Sequence, residues 1–235
     1  MAKGKLYLIP CILGDTEITT SIPESVQQII NSIDDYIVEK ERSARRYLSK
    51  LGITKPIQEL NFYLLNKHVQ EKDVYDYLNP ANEGKNIGLL SEAGCPAIAD
   101  PGAQIVKMAY EKGIQVVPLV GPSSIFLALM ASGMNGQNFA FHGYLPIDNN
   151  DRKKKIRELD PSHNLHAGQT QIFIETPYRN QKMLESILSV CNNNTRLCIA
   201  CDITLKSEFI QTKTIVEWKR NIPRINKRPV VFLLG

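Results

Sequence analysis

Short apolar runs alternate with helical stretches through the first 145 or so residues of this chain, and the style of the runs then changes. Residues 6–9 (LYLI) read as a first strand. Ser21-Ile22-Pro23-Glu24 reads as a helix start, with a capping hydroxyl and a proline near the first turn. Val26, Ile29, Ile30 and Ile33 follow at helical spacing. Residues 36–38 read as a strand, 42–51 as a basic amphipathic helix ended by Gly52, 57–60 as a strand, and 68–78 as a helix with Val69, Val74 and Leu78 on one side. The apolar runs 87–90 and 115–119 are each followed by a helix, over 102–112 and 125–131. This βα alternation predicts a mainly parallel sheet with helices on both faces, closed by residues 139–145.

Residues 148–160 are polar and charged, and read as the hinge and first helix of a second half. The runs at 171–174, 196–203, 209–216 and 230–234 are longer and alternate more, with one long helix, 178–190, among them. That pattern predicts a mixed, partly antiparallel sheet. The expected organisation is an N-terminal α/β lobe over residues 1–146 and a C-terminal α/β lobe over 147–235, with a ligand cleft between them.

A chain of 235 residues with 43% hydrophobic content can bury a proper core in such lobes. No stretch approaches the roughly 18 unbroken apolar residues of a membrane span, so no membrane partner is expected. The start, MAKGKLYLIPCIL, can be read as a signal peptide or as a first strand. The run is short and lacks a small-residue cleavage site, which favours the strand. The net charge of +4, from 28 Lys and Arg against 24 Asp and Glu, permits a polyanionic partner without demanding one. Five scattered cysteines fit free thiols in a reducing, cytoplasmic setting. Cys198 and Cys201 have the spacing of a redox or metal pair. They stand in an apolar run with no second pair at zinc spacing, so they read as buried strand thiols, and no metal is expected. His142, in an apolar strand, reads as structural.

Candidate chemistry lies where the two strands before residues 91 and 120 break. Residues 91–102 (SEAGCPAIADPG) and Val120-Gly121-Pro122-Ser123-Ser124 are loops of small residues, glycines and prolines. Strands that end in such loops expose backbone N–H and C=O groups to a ligand. Singly, Gly94, Gly102 and Gly121 read as turn glycines; together and in this order they favour a ligand pocket built mostly from main chain. Ser123 can cap the helix that follows or, with that helix's free N–H groups, meet a ligand carboxylate or hydroxyl. The first strand ends in PCILGD, without GxGxxG spacing, and no Walker loop is present, so phosphate-anchored nucleotide binding is not indicated.

SEAGCPAIADPG followed by VVPLVGPSS resembles the tetrapyrrole (corrin/porphyrin) methylase superfamily of S-adenosylmethionine (SAM) dependent methyltransferases. Within it the chain is similar to the 16S ribosomal RNA cytidine 2′-O-methyltransferase branch, as a paralog. That branch carries SDAGTPxISDPG, VVPLPGP, GFLP and a YESPHR-like strand end. The counterparts here are residues 91–102, 116–122, Gly143-Tyr144-Leu145-Pro146 and Glu175-Thr176-Pro177-Tyr178-Arg179. The resemblance implies a two-lobed class III SAM methyltransferase fold, α/β, with a mainly parallel sheet in the N-terminal lobe and a mixed one in the C-terminal lobe. It implies SAM as cofactor, a homodimer, and SAM folded in the interlobe cleft. By position it puts Pro10 at the pocket floor, and Gly94, Cys95 and Ile98 along the methionine part. Ser123 and Ser124 follow the Gly-Pro turn, and Ile174 and Ala200 lie on the adenine side. Cys95 replaces the family's usual polar residue.

On the acceptor side, Val38-Glu39-Lys40-Glu41-Arg42 occupies the place of the branch's AEDTR motif; Glu39 and Arg42 match, while Lys40 reverses a charge. Glu39, Arg42, Glu175 and Arg179 are the candidate catalytic residues. A helix-start ion pair is the alternative for the first two. Asp202 and Lys206 stand where the branch has ELTK, with Leu205 inserted, and Lys227-Arg228-Pro229 where it has KGE. Arg42, Arg45 and Arg46 can clamp phosphates or simply form a solvated face, and residues 153–155 read as a solvated face. The departures cluster on the acceptor side. RNA, chiefly ribosomal, is the expected substrate; a tetrapyrrole or other small-molecule acceptor and a non-catalytic SAM-binding paralog stay open.

Overall fold

The computed structural model describes residues 2–65, 71–163 and 168–235, and divides into two compact units, 1–123 and 124–235. In the first, β1 (Lys5–Ile9), α1 (Glu24–Ile30), β2 (Asp35–Val38), α2 (Glu41–Leu51), β3 (Asn61–Leu64), α3 (Glu71–Asp76), α4 (Asn79–Asn82), β4 (Ile87–Leu90), α5 (Gly102–Glu111) and β5 (Gln115–Pro118) follow in order. The strands form one sheet, β3-β2-β4-β1-β5, and every pairing is parallel. Strand periodicity splits its apolar residues between two faces. Ile9, Tyr36, Val38 and Leu90 pack with Val26, Ile30, Ala44, Leu48 and Leu51 of α1 and α2. Leu6, Ile37, Ile87 and Leu89 pack with Leu78, Ala81, Ile105, Met108 and Ala109 on the other face. Burial on both faces is why these strands read as continuous apolar runs.

Local sequence chemistry explains most boundaries. Gly52 ends α2 in the left-handed region (φ 86°), its N–H meeting the carbonyls of Leu48 and Ser49. Ser21 does not cap α1. Pro23 sits at the cap position, no side chain bonds there, and Ser21 closes a 3-10 turn over Ile18–Thr20. The expected strand at 57–60 is a 3-10 turn, Ile57–Glu59, following Pro56. The strand begins at Asn61, in register with Asp35. The expected helix from His68 begins outside the described residues.

The second unit holds α6 (Ser124–Ser132), β6 (Phe139–Tyr144), α7 (Asn149–Leu159), β7 (Thr170–Ile174), α8 (Asn180–Val190), β8 (Arg196–Cys201), β9 (Phe209–Thr214), α9 (Ile215–Arg220) and β10 (Val230–Leu234). Its sheet runs β6-β7-β10-β8-β9, with β6 and β7 parallel and the rest antiparallel. The division falls after Ser123, where the sequence pattern put it after residue 146. Residues 139–144 pair with β7, and α6 packs on β8, β9 and β10, so both belong to this unit. The run 209–216 is shorter than expected. At Thr214 a capping box with Glu217 turns the chain into α9. One face of the sheet carries Phe173, Ile199 and Phe232, packed with Ile156, Leu184, Ile187 and Trp218 of α7, α8 and α9. Cys198 and Cys201 are buried in β8, and His142 Nε2 lies 2.6 Å from Gln171 Oε1.

Phe232 is fully buried on the central strand and stacks on Phe173, ring centroids 5.7 Å apart. Phe232→Ala is expected to cost about 3–5 kcal/mol, read as a lower urea midpoint. A change below about 1 kcal/mol would contradict this packing.

Candidate functional site

The two loops singled out in the sequence meet at the ends of β1, β4 and β5. Cys11 and Gly94 exchange both main-chain hydrogen bonds, at 2.8 and 3.0 Å, which ties the chain after β1 to the loop after β4. Gly94 is left-handed (φ 72°), a conformation glycine adopts without strain. Cys95 Sγ donates to the carbonyl of Pro122 at 3.4 Å, joining that loop to the turn after β5. Gly121 stacks on Pro10 so tightly that a Cβ would stand 2.2 Å from the Pro10 Cβ. The expected residues Pro10, Gly94 and Cys95 are therefore gathered in one place, with Ser123 directly after the turn. Cys95 spends its thiol on Pro122, and burial raises its pKa.

The far half of the first loop is held open by its own backbone. Asp100 accepts from the N–H groups of Ala97 and Gly102, and Ala97 and Ala99 are both left-handed (φ 68° and 61°). Each such alanine costs on the order of 1–2 kcal/mol. Ile98, between them, is 52% exposed, an apolar side chain presented rather than packed. Burial raises the Asp100 pKa and outweighs the two N–H bonds that oppose it.

Beside these strand ends lies a cleft of about 640 Å³, lined by residues 11–15, the end of β2, one face of α2 and residues 90–93. Ser43, Arg46, Tyr47 and Lys50 line it at helical spacing, beside the buried stripe of Ala44, Leu48 and Leu51, of which Ala44 also reaches the cleft. Tyr47 donates to the Pro10 carbonyl at 2.6 Å. Glu39 lines the cleft, half-buried, and accepts from the Glu92 N–H at 3.3 Å. Desolvation raises its pKa, helped by the charges of Asp100 and Glu92 and opposed by that N–H. Lys40, the reversed charge, pairs with Glu92 at 3.1 Å, and Ser43 donates to the same carboxylate at 2.6 Å. Arg42 is exposed and outside the lining, and Arg46 lies in it; neither guanidinium bonds to another described residue. Arg45 is committed to Glu41, the Ile57 carbonyl and the Phe62 ring. Arg46 and Tyr47 were legible as the polar side of α2, but only the fold shows that this side borders a cleft.

In the second unit Ser124 opens α6. Ile174 and Ala200 both pair with Val231, so they share one row across β7, β10 and β8, on the face opposite Phe173 and Phe232. Ala200 is fully buried. Glu175 and Arg179 are elsewhere. The Glu175 carboxylate is buried in the groove between α7 and α8, and its Oε1 accepts from Arg179 Nη2 at 2.7 Å and Nε at 3.0 Å. Glu175 and Arg179 thus stay together, separated from Ile174 and Ala200 by the thickness of the sheet. Beyond them Asp202 accepts from Arg228 at 2.8 Å, the Lys227 N–H meets the Pro177 carbonyl, and Asn180 Nδ2 meets that of Arg228. Asp202, Thr204 and Lys227 are left-handed, and Asn180 Oδ1 is buried without a partner among the described residues. No group of three potential metal ligands occurs among the described residues.

Strand ends joined through main chain, two small-residue loops, one of them strained, and an adjacent cleft accompany the class III methyltransferase fold that similar structures share. Over residues 12–218 the chain matches the family model of the tetrapyrrole (corrin/porphyrin) methylases, and it belongs to that family. It is 30% identical to ribosomal RNA small subunit methyltransferase I of Haemophilus influenzae, over 98% of this chain and 78% of that protein. The enzyme of the same name from Bacillus subtilis is 32% identical over 91% and 68%. Among solved structures, the methyltransferase CobJ superposes with a TM-score of 0.64 at 16% identity, covering 99% of this chain and 94% of that one. The uroporphyrin-III-C-methyltransferase of Thermus thermophilus gives 0.60 at 15%, with the same coverage. The chain is a SAM-dependent methyltransferase.

The main-chain cradle fits SAM, which carries no phosphate and needs hydrogen bonds from main chain and small side chains. Gly121→Ala would drive a Cβ into Pro10 and spread the joint. SAM affinity is expected to fall at least tenfold by calorimetry, with the circular dichroism spectrum kept; unchanged affinity would remove this joint from the site.

Proposed function

We propose that this chain methylates RNA of the small ribosomal subunit, at a hydroxyl. The supporting observation is the similarity along more than nine-tenths of the chain to proteins named ribosomal RNA small subunit methyltransferase I. In this reading Pro10, Gly94, Cys95, Ile98 and Ser123 of the first unit contact the donor; Ser124, Ile174 and Ala200 are the candidates that the family resemblance adds. Bound SAM supplies a methyl group activated by its sulfonium. The residues of the chain then align the acceptor oxygen for in-line displacement, the largest available contribution to rate.

Glu39 is the proposed base, taking the proton as the hydroxyl oxygen bonds to the methyl carbon. A carboxylate with a raised pKa is a better acceptor for that proton, a contribution of roughly 10²–10⁴-fold. Because its folded pKa lies above its ordinary 4.5, Glu39 favours folding most below that value. The contribution is lost as pH rises through the raised pKa, so at neutral pH the carboxylate is held at some cost to stability. Arg42 and Arg46, one turn apart on α2 and without a side-chain partner among the described residues, offer their guanidinium groups to substrate phosphates. Glu175 fixes the aim of Arg179 on the acceptor side of the second unit. Five free cysteines, three of them with pKa values raised beyond the usual thiol range by burial, suit work in the reducing cytoplasm. No helix among the described residues is long and apolar enough to cross a membrane. Phe126 and Met130, four apart on α6 and 56% and 79% exposed, support a homodimer that covers them.

Purified protein, methyl-labelled SAM and extract from a strain lacking its gene test this reading. Label is expected in RNA, and absent with wild-type extract; label in small molecules alone would replace it with a tetrapyrrole-type acceptor. Glu39→Gln is expected to lower kcat about 10²–10³-fold and leave SAM affinity unchanged. The acid limb of the pH–rate profile should vanish with it; a retained limb would take the base role from Glu39. Met130→Glu is expected to shift the protein from dimer to monomer by sedimentation, and a monomeric wild type would refute the pairing.

A further inference from the structure

Positive charge is distributed unevenly. The second unit holds 15 of the 28 Lys and Arg and 9 of the 24 Asp and Glu, a net +6, while the first has 13 against 15, a net −2. Part of that excess lines a cavity of about 500 Å³ between α7 and α8, with Arg152, Lys153, Arg179 and Lys182 against Glu175 and Glu185. Three features distinguish it from a solvated basic face.

Arg152 is 8% exposed, yet among the described residues its guanidinium bonds only neutral groups: Ser186 Oγ at 3.1 Å, the Ile147 carbonyl at 2.8 Å and Asn149 Oδ1 at 2.9 Å. Buried charges are ordinarily paired with an opposite charge. This one is held by neutral dipoles, and the acidic group it acts on is Asp148 at the start of α7, which does not line the cavity. Glu175 is already committed to Arg179, through Nε and Nη2, which leaves Nη1 of Arg179 without a partner among the described residues. Lys153 and Lys182 have no side-chain partner among the described residues, and Glu185, at the rim, is the one uncommitted carboxylate in the lining.

We propose that this groove binds the phosphodiester backbone of the RNA substrate, Lys153 and Lys182 contacting phosphate oxygens while buried Arg152 supplies fixed positive potential. The proposal rests on the RNA reading above. No aromatic side chain lines the groove, so bases have no stacking platform there and the contact is with backbone, independent of sequence.

The test is binding of a fluorescein-labelled single-stranded RNA by anisotropy across a salt series, for wild type and the Lys153→Gln/Lys182→Gln double variant. Two lost phosphate contacts should flatten the slope of log K against log salt by about 1.4 and weaken binding about tenfold at low salt. Two unrelated sequences should be affected equally, with SAM affinity by calorimetry unchanged. Glu185→Gln should tighten RNA binding about twofold, an effect of opposite sign that damage to the fold would not produce. If wild type binds and methylates RNA while the double variant keeps its slope and affinity, the groove is overturned and the RNA reading stands. If wild type neither binds nor methylates RNA, both fail.

Discussion

The joint among Cys11, Gly94, Gly121 and Pro10 is the constraint on which the loops at the ends of β1, β4 and β5 depend. Parallel strands end with their last carbonyls and N–H groups unpaired, and three neighbouring strands here end at one place. Two reciprocal hydrogen bonds satisfy the groups of Cys11 and Gly94, and the missing Cβ of Gly121 lets the third strand end close against the Pro10 ring. Tyr47 then fastens α2 to the same point through the Pro10 carbonyl. Each of these contacts is local and modest, about 1 kcal/mol for an ordinary hydrogen bond. Their joint effect is geometric, because they fix where the loop with left-handed Ala97 and Ala99 begins.

That joint also gives the altered acceptor-side positions a physical meaning. Lys40 is paired with Glu92, so the reversed charge is answered within the same cleft. An exposed pair of this kind adds little stability. It does occupy the Glu92 carboxylate, which Ser43 also holds, and leaves Glu39 as the half-buried acid with a raised pKa. Lys40, Ser43, Glu92 and Glu39 therefore form one connected set of contacts.

In the second unit, charge is handled differently. Glu175 and Arg179 pair with each other in an open groove, whereas Arg152 in the same groove is held by neutral dipoles. One groove thus contains an ion-paired guanidinium and a buried one bonded to neutral groups. The buried Arg152 distinguishes this groove from the solvated face that the sequence suggested for residues 153–155.

The sequence by itself determined the strand and helix order, the parallel and mixed character of the two sheets, and the small-residue loops that follow β4 and β5. These follow from short-range rules: apolar periodicity, Gly52 at a left-handed helix end, and small residues where backbone must approach backbone. Tertiary structure decided what those rules do not carry. It assigned 139–144 and α6 to the second unit, because β6 pairs with a strand some thirty residues later. It moved a strand from 57–60 to Asn61–Leu64, where the chain pairs with β2 after the 3-10 turn that follows Pro56. It also put Glu175 on the sheet face opposite Ile174, bordered the polar side of α2 with a cleft, and left Arg152 buried beside a groove. Those outcomes depend on which distant side chains meet across a sheet or between helices, and no spacing along the chain encodes that encounter directly.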